Sequence, residues 1–410
     1  MSSAMDPIIP DFTQAAAFDD PWDSYRWLRD HDPVHWHEEA QAWFVARHAE
    51  VSHISRHPEL YCSKQGVRHR NGAPASILTM DDPEHQQQRG IINRGFTPRQ
   101  VKRLIPRIRA LTDELITSIQ DRGEIDFVAD FAVHVPLIVI AELLGLDPAM
   151  GALLLRWSDA ISAGEGRPPE DPLAQQSATA ALEYYQYILK LVDERRREPR
   201  EDLVSILTGA FDEGTLDTTT GTAIEQRRGL PADDLFMFLF VLLVAGNDTT
   251  RNTLSGGLHA FSRFPEQHER LLAEPGLMDR AVEEVLRFVS PVMGFGRTVT
   301  RDHELCGKPL KRGDFVLMLY QSANRDERVF DAPEEFRIDR HPNPHLTFGM
   351  GPHFCLGANL ARAELKIVFE ELFGRLSDIR VPDGVEPTRT QNALLLTIEQ
   401  LPAIFTSRPS

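Results

Sequence analysis

Residues 345–357 read HLTFGMGPHFCLG. Cys355, one of only three cysteines, sits here among Gly349, Gly351 and Gly357, with His353 two residues before it; Cys62 and Cys306 are far away in sequence. Glycine adopts dihedrals closed to other residues and lets the backbone come close to a flat ligand. Leu356, Leu360, Ala363 and Ile367 follow at helical spacing, so a helix is expected over 356–374. Its first amides and its positive dipole end would face the sulfur and favour a thiolate.

Three roles compete for Cys355: a packed thiol, a zinc ligand or catalytic nucleophile, and an axial thiolate. A packed thiol is the usual fate of a buried cysteine, but it leaves the three glycines unexplained. A zinc ligand needs about three partners, and no Cys or His pair of suitable spacing lies near the loop. A nucleophile needs a base, and two residues along an extended loop His353 points to the opposite side. The third role is an axial thiolate on haem iron.

The whole chain has 410 residues, 42% hydrophobic and 26% charged, which is the composition of a globular protein. The N-terminus lacks the basic and apolar regions of a signal peptide, and no run of about 18 apolar residues suggests a membrane span. Three scattered cysteines make no disulfide framework, so a cytoplasmic location is expected. A net charge of −17 disfavours nucleic acid as a partner. The acidity is uneven: Arg89, Arg94, Arg99, Lys102, Arg103, Arg107 and Arg109 follow one another without an acidic residue. Such a run is most often a solvated helix face.

The pattern predicts a mainly α fold with minor β. Residues 34–47 read as a hairpin, with Trp36, Trp43 and Val45 on its strands, and FVLMLY (315–320) reads as a strand. From about 98 to 270 the pattern is helical, with Thr97-Pro98 as cap and first position, and with breaks at 164–172 and 211–222. The most apolar segment starts at Pro231, has Asp233 and Asp234 at its positive end, and stops at Pro265. It predicts a helix of about 33 residues, roughly 50 Å long. The segment is apolar nearly all round from Leu235 to Ala245, so it is expected to run through the centre.

The run Phe348-Gly-Met-Gly-Pro-His-Phe-Cys-Leu-Gly357 resembles the haem-binding loop of cytochromes P-450, the haem-thiolate monooxygenases: the pattern Phe-Gly-x-Gly-x-His-x-Cys-x-Gly is complete. The resemblance extends from about Pro21 to Phe405 and implies one cytochrome P-450 domain over 1–410, with a small β-rich N-terminal portion and a large helical portion. It implies haem b held between the long central helix and the cysteine loop. Cys355 would be the metal ligand, His353 would contact a propionate, and Phe348, Gly349 and Gly357 would shape the loop. Thiolate pushes electron density onto iron and favours O–O cleavage.

Other segments carry the same likeness. Ala245-Gly246-Asn247-Asp248-Thr249-Thr250 interrupts the apolar helix. By itself this is equally a helix leaving the core. It resembles the family's oxygen-activation motif, with Ala245 and Gly246 leaving room for the cofactor, Thr249 hydrogen-bonding dioxygen and Asp248 relaying protons. Glu284 and Arg287, three apart, read alone as a surface pair; the resemblance implies a buried structural pair joined by Arg340. His85 and Arg89, four apart on a predicted helix, and Arg297 match the family's propionate clamp, which uses charge-assisted hydrogen bonds.

No nucleotide-binding glycine motif follows a strand, so the electrons must come from another protein. By resemblance this is a ferredoxin with its reductase, and Arg94, Arg99, Lys102 and Arg103 are expected to dock it. A monomer is the family's default. Pocket walls by resemblance are 63–79, the region around 160–185, Val244, Val292, Met293, Phe295, Leu394 and Leu395, which suit a hydrophobic substrate, although several of these residues could simply pack the core. MDDPEHQQQRGIINRGFTP and NPHLTFGMGPHFCLG look like bacterial enzymes that hydroxylate steroid side chains or methyl-branched lipids; terpenoids and fatty acids stay open. Two other readings compete: a haem sensor or carrier without turnover, and a peroxide-driven hydroxylase. The Asp248–Thr249 pair argues against both, since neither needs that proton delivery.

Overall fold

The computed structural model describes residues 8–69, 76–147, 150–164, 167, 170–212 and 231–407; the side chains of Phe211, Pro231 to Leu235 and Val244 lie outside this description. Parts of the expected loops at 63–79, 164–172 and 211–222 also lie outside it. The fold is mainly helical with small sheets.

The central helix spans Pro231–Arg263, 33 residues, the length the flanking prolines suggest. Phe238, Leu239, Leu243, Leu254, Leu258 and Phe261 are buried along it. It packs on helices His134–Leu143, Gly151–Ala163, Pro172–Arg197, Met278–Val289 and Ala358–Arg375. Contact on so many sides explains a segment apolar nearly all round. Its lower half shares one core with Pro98–Ile119 and Ala358–Arg375, and its upper half shares a second with Gly151–Ala163 and Pro172–Arg197. Thr97 caps Pro98–Ile119 by accepting from Gln100 N. That helix lies along Ala358–Arg375, with Arg109 bonded to Glu370 and Arg375 to Gln120.

The main sheet has five strands in the spatial order Val34–His37, Ala42–Val45, Phe315–Leu319, Gly294–Val299, Tyr61–Cys62. The first two form the expected hairpin, pairing Trp36 with Trp43. Ala42–Val45 runs parallel to Phe315–Leu319, and both strands are buried at every position, as continuous apolar runs require. Met293 lies just before Gly294–Val299 and points into the cluster of Phe12, Tyr25, Phe44 and Phe315, so it is one of the residues that pack the core.

Glu284 and Arg287 are fully buried, unlike the surface pair that their spacing alone suggests. Arg287 Nε and Nη2 donate to both Glu284 oxygens at 2.8 Å. Arg340 Nε donates to the same carboxylate at 3.1–3.2 Å, and so do the Asn343 amide and the Arg337 N–H. The remaining guanidinium protons meet carbonyls of Asn324, Pro333, Glu335, Asp331 and Ala332. The carboxylate is paired with both guanidiniums and all five Arg287 protons have acceptors, the condition under which a buried ion pair is tolerated.

Glu364, on Ala358–Arg375, differs. It is 2% exposed, its Oε2 has no hydrogen-bond partner, and burial alone pushes its carboxyl up to about 8 from 4.5. The neutral acid is favoured in the fold, so stability falls as pH rises from the unfolded value towards the folded one. Glu364→Gln should therefore leave the melting temperature nearly unchanged at about pH 4 and raise it above wild type at about pH 8. Parallel thermal melts across this range check it; a wild-type-like pH profile in the variant would contradict it.

Candidate functional site

The cysteine loop folds back on itself. Gly349 N donates to Leu346 O at 2.8 Å, Phe354 N to Gly351 O at 3.1 Å, and Cys355 N to Phe348 O at 2.8 Å. Gly349 and Gly351 have φ of +66° and +72°, where other residues are strained. A Cβ on Gly351 would also lie 2.2 Å from Ser55 O, on the helix His48–Arg56 behind the loop. A Cβ on Gly357 would meet nothing within 4 Å.

Cys355 is exposed although protein surrounds it, as for a group lining an internal space. Burial pushes its thiol up. The amides of Gly357 and Ala358, at the start of Ala358–Arg375, and the guanidiniums of Arg89 and Arg362 pull the other way. Those are the groups that would meet a thiolate charge once a metal displaces the proton. His353 is committed elsewhere, with Nε2 3.1 Å from Ser63 Oγ, so it does not serve Cys355 as a base. Among the described residues, no group of three His, Cys, Asp or Glu could hold a metal ion.

Beside the loop, the structure brings His85, Arg89, Arg297 and His353 together. The His85 and His353 rings lie 4.1 Å apart. Burial, then Arg297, His85 and Arg89, push the His353 imidazole down to about 2. His85 Nε2 is buried without a hydrogen-bond partner, and His85 Nδ1 lies 3.4 Å from Asp82. Arg297, 6% exposed, donates to Gly296 O and forms no ion pair among the described residues. Arg89 donates to Phe354 O. This cluster has spare donors and positive charge but too few anions, so it fits the two carboxylates of haem b.

On the central helix Asp248 is 2% exposed. Thr249 Oγ1 donates to Ala245 O at 2.8 Å, Asn252 to Asp248 O at 2.7 Å and Thr253 to Thr249 O at 2.7 Å. Side chains bonding to carbonyls one turn back loosen and bend a helix. The Cβ position of Gly246 is filled by Ile140 Cδ1, 2.4 Å away, so this glycine admits the close approach of helix His134–Leu143. Pro291 to Met293 pair with Leu394 to Leu396 through backbone bonds and the bridge Val292–Leu395. Val292, Leu394 and Leu395 therefore lie close together, and Val292 and Phe295 pack against one apolar cluster, whereas Val244 falls outside the described side chains.

Some functional neighbours leave no mark in the sequence. Ser63, bonded to His353, is one. Another is the group of Arg362, Glu283 and His345: burial would raise Glu283, but hydrogen bonds from Arg362 and His345 pull it down to about 2. The Arg362 guanidinium lies 4.6 Å from the Phe348 ring centroid, over the loop.

In the basic run, Arg103 pairs with Glu201, Arg107 with Glu142 and Arg109 with Glu370 and Glu371. Arg94, Arg99 and Lys102 are exposed and form no ion pair among the described residues. Arg103 is thus partly neutralised, contrary to its expected place in a free patch.

Residues 171–405 match the family Cytochrome P450. The chain is 36% identical to a steroid C26-monooxygenase of Mycolicibacterium smegmatis, over 94% of this chain and 92% of that protein. It is 34% identical to a methyl-branched lipid omega-hydroxylase of Mycobacterium bovis, over 88% and 84% of the two chains. The structure of the Mycobacterium marinum cytochrome P450 CYP268A2 in complex with pseudoionone superposes with a TM-score of 0.85 at 33% identity, covering 99% of this chain and 100% of that one. Among the described residues no helix is long and apolar enough to cross a membrane. Likeness of this extent in both sequence and fold makes the chain a member of the cytochrome P450 family, a monooxygenase that binds haem b.

Proposed function

We propose that this monooxygenase inserts one oxygen atom of dioxygen into a C–H bond of an aliphatic tail, on a steroid side chain or a methyl-branched lipid, with electrons from a ferredoxin. The observation that carries the chemistry is the accessible Cys355 thiol beside a buried cationic cluster short of anions. The haem, when bound, supplies the iron centre at which dioxygen is activated. Cys355 would ligate the metal as a thiolate, and the Gly357 and Ala358 amides would bear part of its charge. His85 and Arg297 would hold the propionates, with Arg89 and the Ser63-bonded His353 beside them. Asp248 holds a proton for delivery, and the Thr249 hydroxyl orients it on leaving Ala245 O.

The substrate reading rests on the apolar group Val292, Phe295, Leu394 and Leu395 and on the activities named for the two relatives. It is tested by titrating the haem-loaded protein with sterols, methyl-branched lipids, terpenes and straight fatty acids. A sterol or branched lipid should shift the haem absorption band with about micromolar affinity. A response confined to terpenes or straight fatty acids would contradict it.

The docking reading narrows to Arg94, Arg99 and Lys102, exposed cations just before and at the start of the helix Pro98–Ile119, which lies along Ala358–Arg375. On a protein of net charge −17 they form a local attractor for an acidic partner. Reversing Arg99 and Lys102 to Glu should slow reduction by a ferredoxin roughly tenfold at low salt and flatten its salt dependence. Unchanged stopped-flow reduction would contradict the site.

A further inference from the structure

We infer that Ser162 and Arg251 are positioning residues for Asp248, so that helix Gly151–Ala163 forms part of the proton-delivery apparatus of this enzyme. The inference rests on the proposed role of Asp248.

Three polar residues on one side of Gly151–Ala163 meet three on the central helix. Asn247 Nδ2 donates to Ser158 Oγ at 2.9 Å, and both residues are fully buried. Arg251 Nη1 donates to Asp159 Oδ1 at 2.8 Å. Ser162 Oγ donates to Asp248 Oδ2. Arg251 Nη2 also lies 3.4 Å from Asp248 Oδ1. Each oxygen of the Asp248 carboxylate thus has its own partner.

Exposure is graded along this set. The Asp159 side chain is 49% exposed, that of Arg251 10% and that of Asp248 3%. Arg251 therefore bridges a carboxylate at the surface and one in the interior. A guanidinium keeps its protons at any working pH, so Arg251 orients and charge-compensates but carries no proton. The Ser162 hydroxyl both donates and accepts, and its bond fixes the direction in which Oδ2 presents a proton. A shift of Gly151–Ala163 would break the Ser162–Asp248 and Asp159–Arg251 bonds at once. The protonation geometry of Asp248 is thereby tied to a helix that packs against Pro172–Arg197 on its other side.

The nearest stand-in for a purely structural role is the Asn247–Ser158 bond. It joins the same two helices; Asn247 Nδ2 also lies 3.5 Å from Asp248 Oδ1, but Ser158 itself touches neither oxygen, so Ser158→Ala serves as the packing control.

The test uses the haem-loaded enzyme with a ferredoxin and reductase, and compares Ser162→Ala, Ser162→Thr, Arg251→Lys, Ser158→Ala and Asp248→Asn. Product per electron pair, peroxide release and the solvent deuterium isotope effect on turnover are measured. The carboxyl stretching band of Asp248, identified by its loss in Asp248→Asn, is followed by infrared difference spectroscopy. Loss of one hydrogen bond to a charged group predicts about tenfold lower coupled turnover in Ser162→Ala, a larger isotope effect and a shifted carboxyl band. Ser162→Thr should restore all three, and Ser158→Ala should leave the band in place. Wild-type turnover, isotope effect and band position in both Ser162→Ala and Arg251→Lys, with Asp248→Asn impaired, would overturn the positioning role alone. Wild-type turnover in Asp248→Asn would overturn the proton-delivery reading on which it rests.

Discussion

A carboxylate with no exposed surface, Glu284, holds the guanidiniums of Arg287 and Arg340, and the cysteine loop is hung from the lattice they make. Arg287 reaches Asn324 O, and the Asn324 side chain in turn accepts from Leu346 N at 2.7 Å and donates to Thr347 Oγ1 at 3.0 Å. Thr347 Oγ1 then bonds Leu286 O on the same helix as Glu284. The loop that begins at Leu346 is thus referenced to buried charge at several points. Removing one partner of such a set strands the rest without water, at a cost of about 3–5 kcal/mol. That rigidity lets the two left-handed glycines present Cys355 at a fixed place, with Ser55 O closing the loop from behind.

The second ordering principle is electrostatic incompleteness. A folded interior pairs its charges, yet His85 Nε2 and the Arg297 guanidinium end without an anion. On the proposed reading, the carboxylates of a bound porphyrin would supply what the chain leaves out. Around Asp248 the reverse holds: its carboxylate is held by Ser162 and Arg251 from two helices. One region is open to a cofactor's charge, and the other meets its charge within the chain.

Much of this was legible in the residues. Pro231 and Pro265 bound the central helix because each marks a helix start, and the glycine spacing around Cys355 is too constrained to suit an ordinary thiol. What escaped depends on orientation and on distant partners. Glu and Arg three apart have the same spacing on a buried face as on an exposed one, so spacing alone does not reveal Glu284 and Arg287 as core, and only the family resemblance points to it. Met293 and Phe295 differ in the side they face, which depends on where the strand begins. Arg103 loses its freedom to Glu201, 98 positions away. Ile140 fills the space at Gly246 from another helix. Ser162 and Arg251 become informative only once the helices that carry them are side by side.

The central claim is that the sulfur of Cys355 ligates the haem iron. The absorption spectrum of the reduced, carbon-monoxide-bound protein tests it most directly, with wild type compared with Cys355→Ser after both are loaded with haem b. The long-wavelength band characteristic of thiolate ligation should be present in the wild type and lost in the variant. The same band in both proteins, or in neither, would contradict the account.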